Sequence, residues 1–128
     1  MSTMKAKKAV FSILDMSLLF AIWGKGKLDR AGVRAAVEIN DIFEPVLTDS
    51  GELLGVAAHG GDDGEEAMKS LVSDTKAITL SIPAYDSLLE AFKGHEGWTM
   101  RGARQVARIE DSFTDAVDVT LEPKKVEE

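Results

Sequence analysis

Two stretches decide how this chain is read: SLLFAIWGKGKLDRAGVRAAVEINDIF at residues 17–43 and SLLEAFKGHEGWTMRGARQVARIEDSF at residues 87–113. They align without a gap, and ten of the 27 pairs are identical. The shared residues include the glycines Gly24/Gly94 and Gly32/Gly102, the arginines Arg34/Arg104, and the apolar pairs Ile39/Ile109 and Phe43/Phe113. Unrelated sequences would share about two at one offset, so the pattern points to an internal repeat. Upstream, with a slip of one or two residues, Lys8-Ala9-Val10 matches Lys76-Ala77-Ile78, and Ser12-Ile13 matches Ser81-Ile82.

Each copy reads as strand, helix, helix. Ile78, Leu80 and Ile82 alternate with Ala77, Thr79 and Ser81, the period of a half-buried strand. Pro83 ends that strand and suits the first turn of a helix carrying Tyr85, Leu88, Leu89 and Phe92, which Gly94 is placed to stop. Thr99 can cap the next helix, with Asp29 at the aligned position of copy one. The apolar stripes of these second helices run Gly102, Val106, Ile109, Phe113, Ala116 and Gly32, Ala36, Ile39, Phe43, Val46.

The predicted architecture is α+β and helix-rich: one domain of two strand-helix-helix repeats about a pseudo-twofold axis, with a small hairpin or loop insertion between them. Repeat one covers about 8–46, the connector 47–75, repeat two 76–117, and a charged tail 122–128 is expected to fray. Leu18, Leu19, Ile39, Phe43, Leu88, Leu89, Ile109 and Phe113 are expected in a shared core. Within the connector, Val46–Leu54 reads as a hairpin around Asp49-Ser50-Gly51. Gly55–Gly64 reads as a mobile acidic loop, and Glu65–Asp74 as a short helix with Met68, Leu71 and Val72 inward.

The stretch Lys76–Phe113 resembles the ribbon-helix-helix family of small DNA-binding repressors. The likeness is carried by the strand KAITLSIP, the helix YDSLLEAF, a glycine-containing turn and the helix TMRGARQVARIEDSF. It implies two strands paired antiparallel within one chain, forming a ribbon for the major groove. Ala77, Thr79 and Ser81, with Lys8, Val10 and Ser12, would then face the bases. This sequence departs from the family in placing small, mostly neutral residues where Arg, Lys or Asn are usual. Its second helix carries the apolar stripe about one residue out of phase.

Composition constrains function. A chain of 128 residues with 45% apolar and 29% charged content can bury an ordinary soluble core. With no cysteine there is neither disulfide nor thiolate chemistry. The net charge of −7 opposes general coating of nucleic acid. Lys5, Lys7 and Lys8 precede an apolar run, Ala9–Trp23, which superficially resembles a secretory signal. Asp15 interrupts the run, and GKGK at 24–27 replaces small cleavage-site residues. The run is also too short to span a bilayer, so the expectation is a cytoplasmic protein with no membrane partner.

No motif supplies chemistry. GKGK lacks the spacing and Ser/Thr ending of a phosphate-binding loop and reads as an inter-helix turn. His59 and His95 form no His-Glu-x-x-His pair, and the acidic loop 59–66 lacks calcium-loop spacing, although weak divalent binding there stays open. No Gly-x-Ser-x-Gly elbow occurs. The expectation is therefore no catalytic, cofactor or metal residues. A binding surface drawn from Lys8, Ser12, Thr79, Ser81, Arg34, Arg104, Trp23 and Trp98 remains. Three functions follow. The first is a non-enzymatic accessory factor with a protein partner, of the kind phage and other mobile elements encode. The alternative is a single-chain ribbon-helix-helix regulator contacting DNA. A small carboxylate enzyme is third.

Overall fold

The computed structural model describes residues 4–26, 30, 32–96 and 98–121. Strand β1 (Met4–Ser12) runs into helix α1 (Ile13–Gly24), followed by α2 (Val33–Asp49), α3 (Gly51–His59) and α4 (Gly61–Ser73). Strand β2 (Thr75–Ser81) then leads into α5 (Ile82–Gly94), a single 3-10 turn (Met100–Gly102), α6 (Ala103–Thr114) and strand β3 (Val117–Leu121). The fold is α+β and helix-rich, with a three-stranded antiparallel sheet in the order β2-β1-β3.

Alternation of side chains builds the two layers. Ala9 and Phe11 of β1 and Ile78 and Leu80 of β2 point inward and are buried, while Val10 between them is 50% exposed. The helices cover that inner face. The core joins the inward strand residues to Met16 and Leu19 of α1, Ile39 and Phe43 of α2, Leu88 and Phe92 of α5, and Ile109 and Phe113 of α6. Phe113 packs edge-on to Phe11 and Tyr85, at centroid distances of 5.2 and 5.5 Å, and lies 5.6 Å from Phe92. Such pairs add to the area buried. The Tyr85 hydroxyl donates to the Phe113 carbonyl at 2.8 Å.

Both halves run strand, helix, helix, and their burial patterns correspond with a changed register. Ala9 pairs with Ile78 across the ladder, and the inward residues Phe11 and Leu80 occupy corresponding positions on either side. The match of Lys8-Ala9-Val10 to Lys76-Ala77-Ile78 is corrected, because it would equate outward Val10 with inward Ile78. A one-residue slip turns every side chain to the other face. In the first helices the buried pairs Met16 and Leu19, and Tyr85 and Leu88, share one spacing, whereas the aligned pairs Leu18/Leu88 and Leu19/Leu89 differ in burial. Leu18 and Leu89, expected in the core, are only half-buried at its edge. The second helices retain the register of the identical pairs, with Ile39 and Ile109, and Phe43 and Phe113, all buried.

Helix ends follow their sequence signals. Ser12 and Ser81 cap α1 and α5, their hydroxyls accepting from the amides of Asp15 at 3.1 Å and Ala84 at 3.4 Å. Pro83 lies in the first turn of α5, where its missing N–H is harmless. The Thr99 hydroxyl accepts from Gly102 N at 3.2 Å, capping the 3-10 turn that leads into α6. Asp29, the aligned cap of the first copy, and the tail 122–128 lie outside the described residues.

The connector is helical, correcting both the hairpin and the mobile loop. Helix α2 continues through exposed Pro45 to Asp49, and Ser50 alone separates it from α3. Proline removes one backbone hydrogen bond there without ending the helix. The break between α3 and α4 falls at Gly60 and Gly61, both at positive φ (76° and 77°), a conformation favouring glycine. Helix α4 begins at Gly61, earlier than expected. It turns Gly64, Ala67 and Leu71 inward, whereas Met68 is 46% exposed and Val72 half-buried. Strand β3 was not anticipated, although Val117, Val119 and Leu121 alternate with Asp118 and Thr120.

Candidate functional site on the open face of the sheet

The helices occupy one side of the sheet, leaving a small outward surface. On β1 it carries Lys8 and Val10, and on β2 Ala77 and Thr79. Strand β3 adds Val117, the Cα partner of Lys8, whereas the half-buried Val119 pairs with Ala6, which is fully buried. Val10 is 50% and Val117 55% exposed. With Ser112 and Asp115 from the end of α6, Lys8, Val10 and Val117 line a shallow groove of about 430 Å³. Its lining combines two valines with one amine, one carboxylate and one hydroxyl.

Of the sequence-predicted surface, the fold brings Lys8 and Thr79 together as Cα partners in the β1–β2 ladder. Ser12 and Ser81 are corrected: each is buried, 3% and 4% exposed, because the strands end there and the side chains turn back to cap helices. Arg34 and Arg104 are exposed in the first turns of α2 and α6. Arg104 precedes Ser112 by two turns, about 12 Å along the helix, so it lies away from the groove. Trp23 is half-buried, stacks on Phe20, and donates from Nε1 to the Ser87 hydroxyl at 3.2 Å, joining α1 to α5. Trp98 is half-buried between Phe92 and His95, whose ring lies edge-on at 4.3 Å. Both tryptophans therefore contribute to packing at the core's edge.

Two polar contacts hold the layer beneath this face. Asp15 is fully buried in the first turn of α1, and its two oxygens accept from Arg108 Nε and Nη2, each at 2.7 Å. Arg108 is held more strongly protonated than an ordinary arginine, chiefly by its hydrogen bond to Asp15, which outweighs the opposing effect of burial. Glu38, at the aligned position in α2, accepts from both the backbone N–H and the hydroxyl of Ser81, each at 2.7 Å. Thus the second helix of each half reaches the beginning of the other half's first helix. Glu38 and Arg108 are both half-buried, each engaged across the molecule.

At the sheet's rim, Lys7 Nζ lies 2.8 Å from Asp118 and 5.6 Å from the Tyr85 ring centroid. The hydrogen bond between Lys7 and Asp118 raises the amine's pKa and lowers the carboxylate's. Burial raises that of the Tyr85 phenol, keeping it neutral. Among the described residues no group of three or more His, Asp or Glu side chains could hold a metal ion, the segment 59–66 included. No described helix is long and apolar enough to cross a membrane.

No protein-family model, curated protein or solved structure matches the chain. Sequence reasoning missed Val117 and Val119 because it ended the second repeat where β3 begins, and Ser112 and Asp115 because they lie off the apolar stripe of α6. The alternation in VDVTL is the signal that could have placed them.

Proposed function

We propose that this is a small non-enzymatic accessory protein that acts by binding another protein through the open face of its sheet. It is of the kind phage and other mobile elements encode, and internal duplication accounts for the corresponding halves. The observation carrying the reading is the aliphatic surface of Val10 and Val117 beside Lys8, left uncovered by the helical layer. Exposed apolar area with a polar rim suits a protein partner.

The experiment is affinity capture from cells that encode the protein, comparing wild type with a Val10→Glu/Val117→Glu variant. A stoichiometric protein retained by wild type and lost from the variant supports the reading. Equal retention by both would refute the assignment of this face.

A second reading has its own observation. Antiparallel pairing of β1 and β2 sets Lys8 beside Thr79 on the outward surface, the arrangement a ribbon-helix-helix regulator requires. Against it, the carboxylate of Asp115 lines the same groove as Lys8, and Val117 of a third strand adjoins Lys8. The major groove admits a two-stranded ribbon. Duplex DNA binding that falls steeply between about 50 and 200 mM salt would support the regulator. No binding at the lower salt removes it.

A further inference from the structure

The chain's acidity is concentrated in one part of the fold. Between Ala35 and Met68 there are nine carboxylates and no lysine or arginine. These are nine of the chain's 22 carboxylates and none of its 15 basic residues, so the remainder is slightly basic. Glu38 is taken up by Ser81. The other eight are exposed on α2, α3 and α4, and none joins an ion pair among the described residues. Lys69, just beyond, is exposed and likewise unpaired there.

The same region leaves apolar surface uncovered. Helix α3 (GELLGVAAH) has no buried residue, with Leu53 39% and Val56 37% exposed, and Met68 on α4 is 46% exposed. The α3–α4 hairpin is nevertheless closely built. A Cβ at Gly64 would lie 3.2 Å from the Val56 carbonyl oxygen and 3.5 Å from that of Ala57. Leu53, Val56 and Met68 thus stay open to solvent beside this hairpin contact.

We propose that the outer surface of α3 and α4 docks a basic amphipathic helix of another protein. Its apolar stripe would cover Leu53, Val56 and Met68, and its Lys and Arg would meet the surrounding carboxylates. A second copy of this chain would bring acidic surface against acidic surface. Nucleic acid would be repelled. The inference rests on the protein being a binding module, but it uses a different surface from the sheet's open face.

The test titrates the isotope-labelled full chain with a synthetic peptide of about 18 residues, Leu at helical spacing and Lys elsewhere, followed by amide NMR. Saturable shifts should concentrate in residues 49–69 and weaken as salt rises. Affinity should fall about tenfold in Leu53→Ser/Val56→Ser and again in Glu52→Lys/Glu65→Lys/Glu66→Lys, both made on exposed positions. Val10→Glu/Val117→Glu should bind the peptide normally, which separates this site from the sheet face. Equal binding of a peptide of the same composition without helical spacing would overturn the proposal. So would shifts confined to the sheet, or self-association through the hairpin detected by sedimentation.

Discussion

Replacing Arg108 with Met keeps the volume of its stem and removes the charge that answers Asp15. Asp15 is fully buried, with both carboxylate oxygens on the guanidinium at 2.7 Å. Removing one partner of a buried pair costs about 3–5 kcal/mol, because the other charge is left unanswered. The Arg108 side chain is 35% exposed, so water can replace part of the contact. The position of Asp15 in the first turn of α1 also favours its negative charge. Both considerations place the loss at the lower end, about 3 kcal/mol, or a fall in Tm of roughly 9–15 °C for a domain this size. The assay is thermal unfolding at neutral pH followed by far-UV circular dichroism. Arg108→Lys should fall between, since lysine keeps charge but not the fork. Asp15→Ala/Arg108→Met should recover to within about 1–2 kcal/mol of wild type, the signature of coupling. A melting point for Arg108→Met within about 2 °C of wild type would refute the buried pair.

Phe113→Ala should cost about 3–5 kcal/mol by urea unfolding, because its ring lies against Phe11, Tyr85 and Phe92. Glu38→Ala strips two hydrogen bonds from Ser81 and should lower stability by about 1.5–3 kcal/mol, measured in the same way. In alkaline titration, raised folded-state values for Tyr85 and Lys7 mean their contributions are complete below about pH 10 and are lost as pH rises through those values. Tyr85→Phe should therefore flatten the fall in stability above about pH 10 while costing about 1 kcal/mol at neutral pH through the lost bond to the Phe113 carbonyl. At the acid end, the lowered value of Asp118 means its contribution is present above the ordinary aspartate pKa and lost as pH falls through the folded-state value. Asp118→Asn should remove that part of the acid dependence.

Local periodicity revealed what local residues determine. Alternation in KAITLS and helical spacing from Tyr85 to Phe92 located β2 and α5, and Pro83 and Gly94 marked their boundaries. Identity between the halves misled by one residue in the first helices, where leucines adjoin each other and either register places one inward. Burial of Leu19 and Leu88, with Leu18 and Leu89 at the edge, shows which register packing selected. Strand parity placed Ser12 and Ser81 outward, but a serine followed by a helix is also a capping signal, and capping prevailed. Glycine and acid content concealed α3 and the start of α4, which pack through the small Gly64 contact. The Asp15–Arg108 and Glu38–Ser81 contacts join residues 93 and 43 positions apart, beyond any local pattern. Half of the candidate face was accessible from β1 and β2. The rest depended on recognising five residues, Val117–Leu121, as a strand.

Photo-crosslinking from position 10 asks most directly what the open face touches. With a benzophenone amino acid replacing Val10 in cells that encode the protein, irradiation should yield one dominant protein adduct, abolished by Val117→Glu. Adducts to nucleic acid, or none while the same label at Leu53 gives a partner, would contradict the assignment of this face.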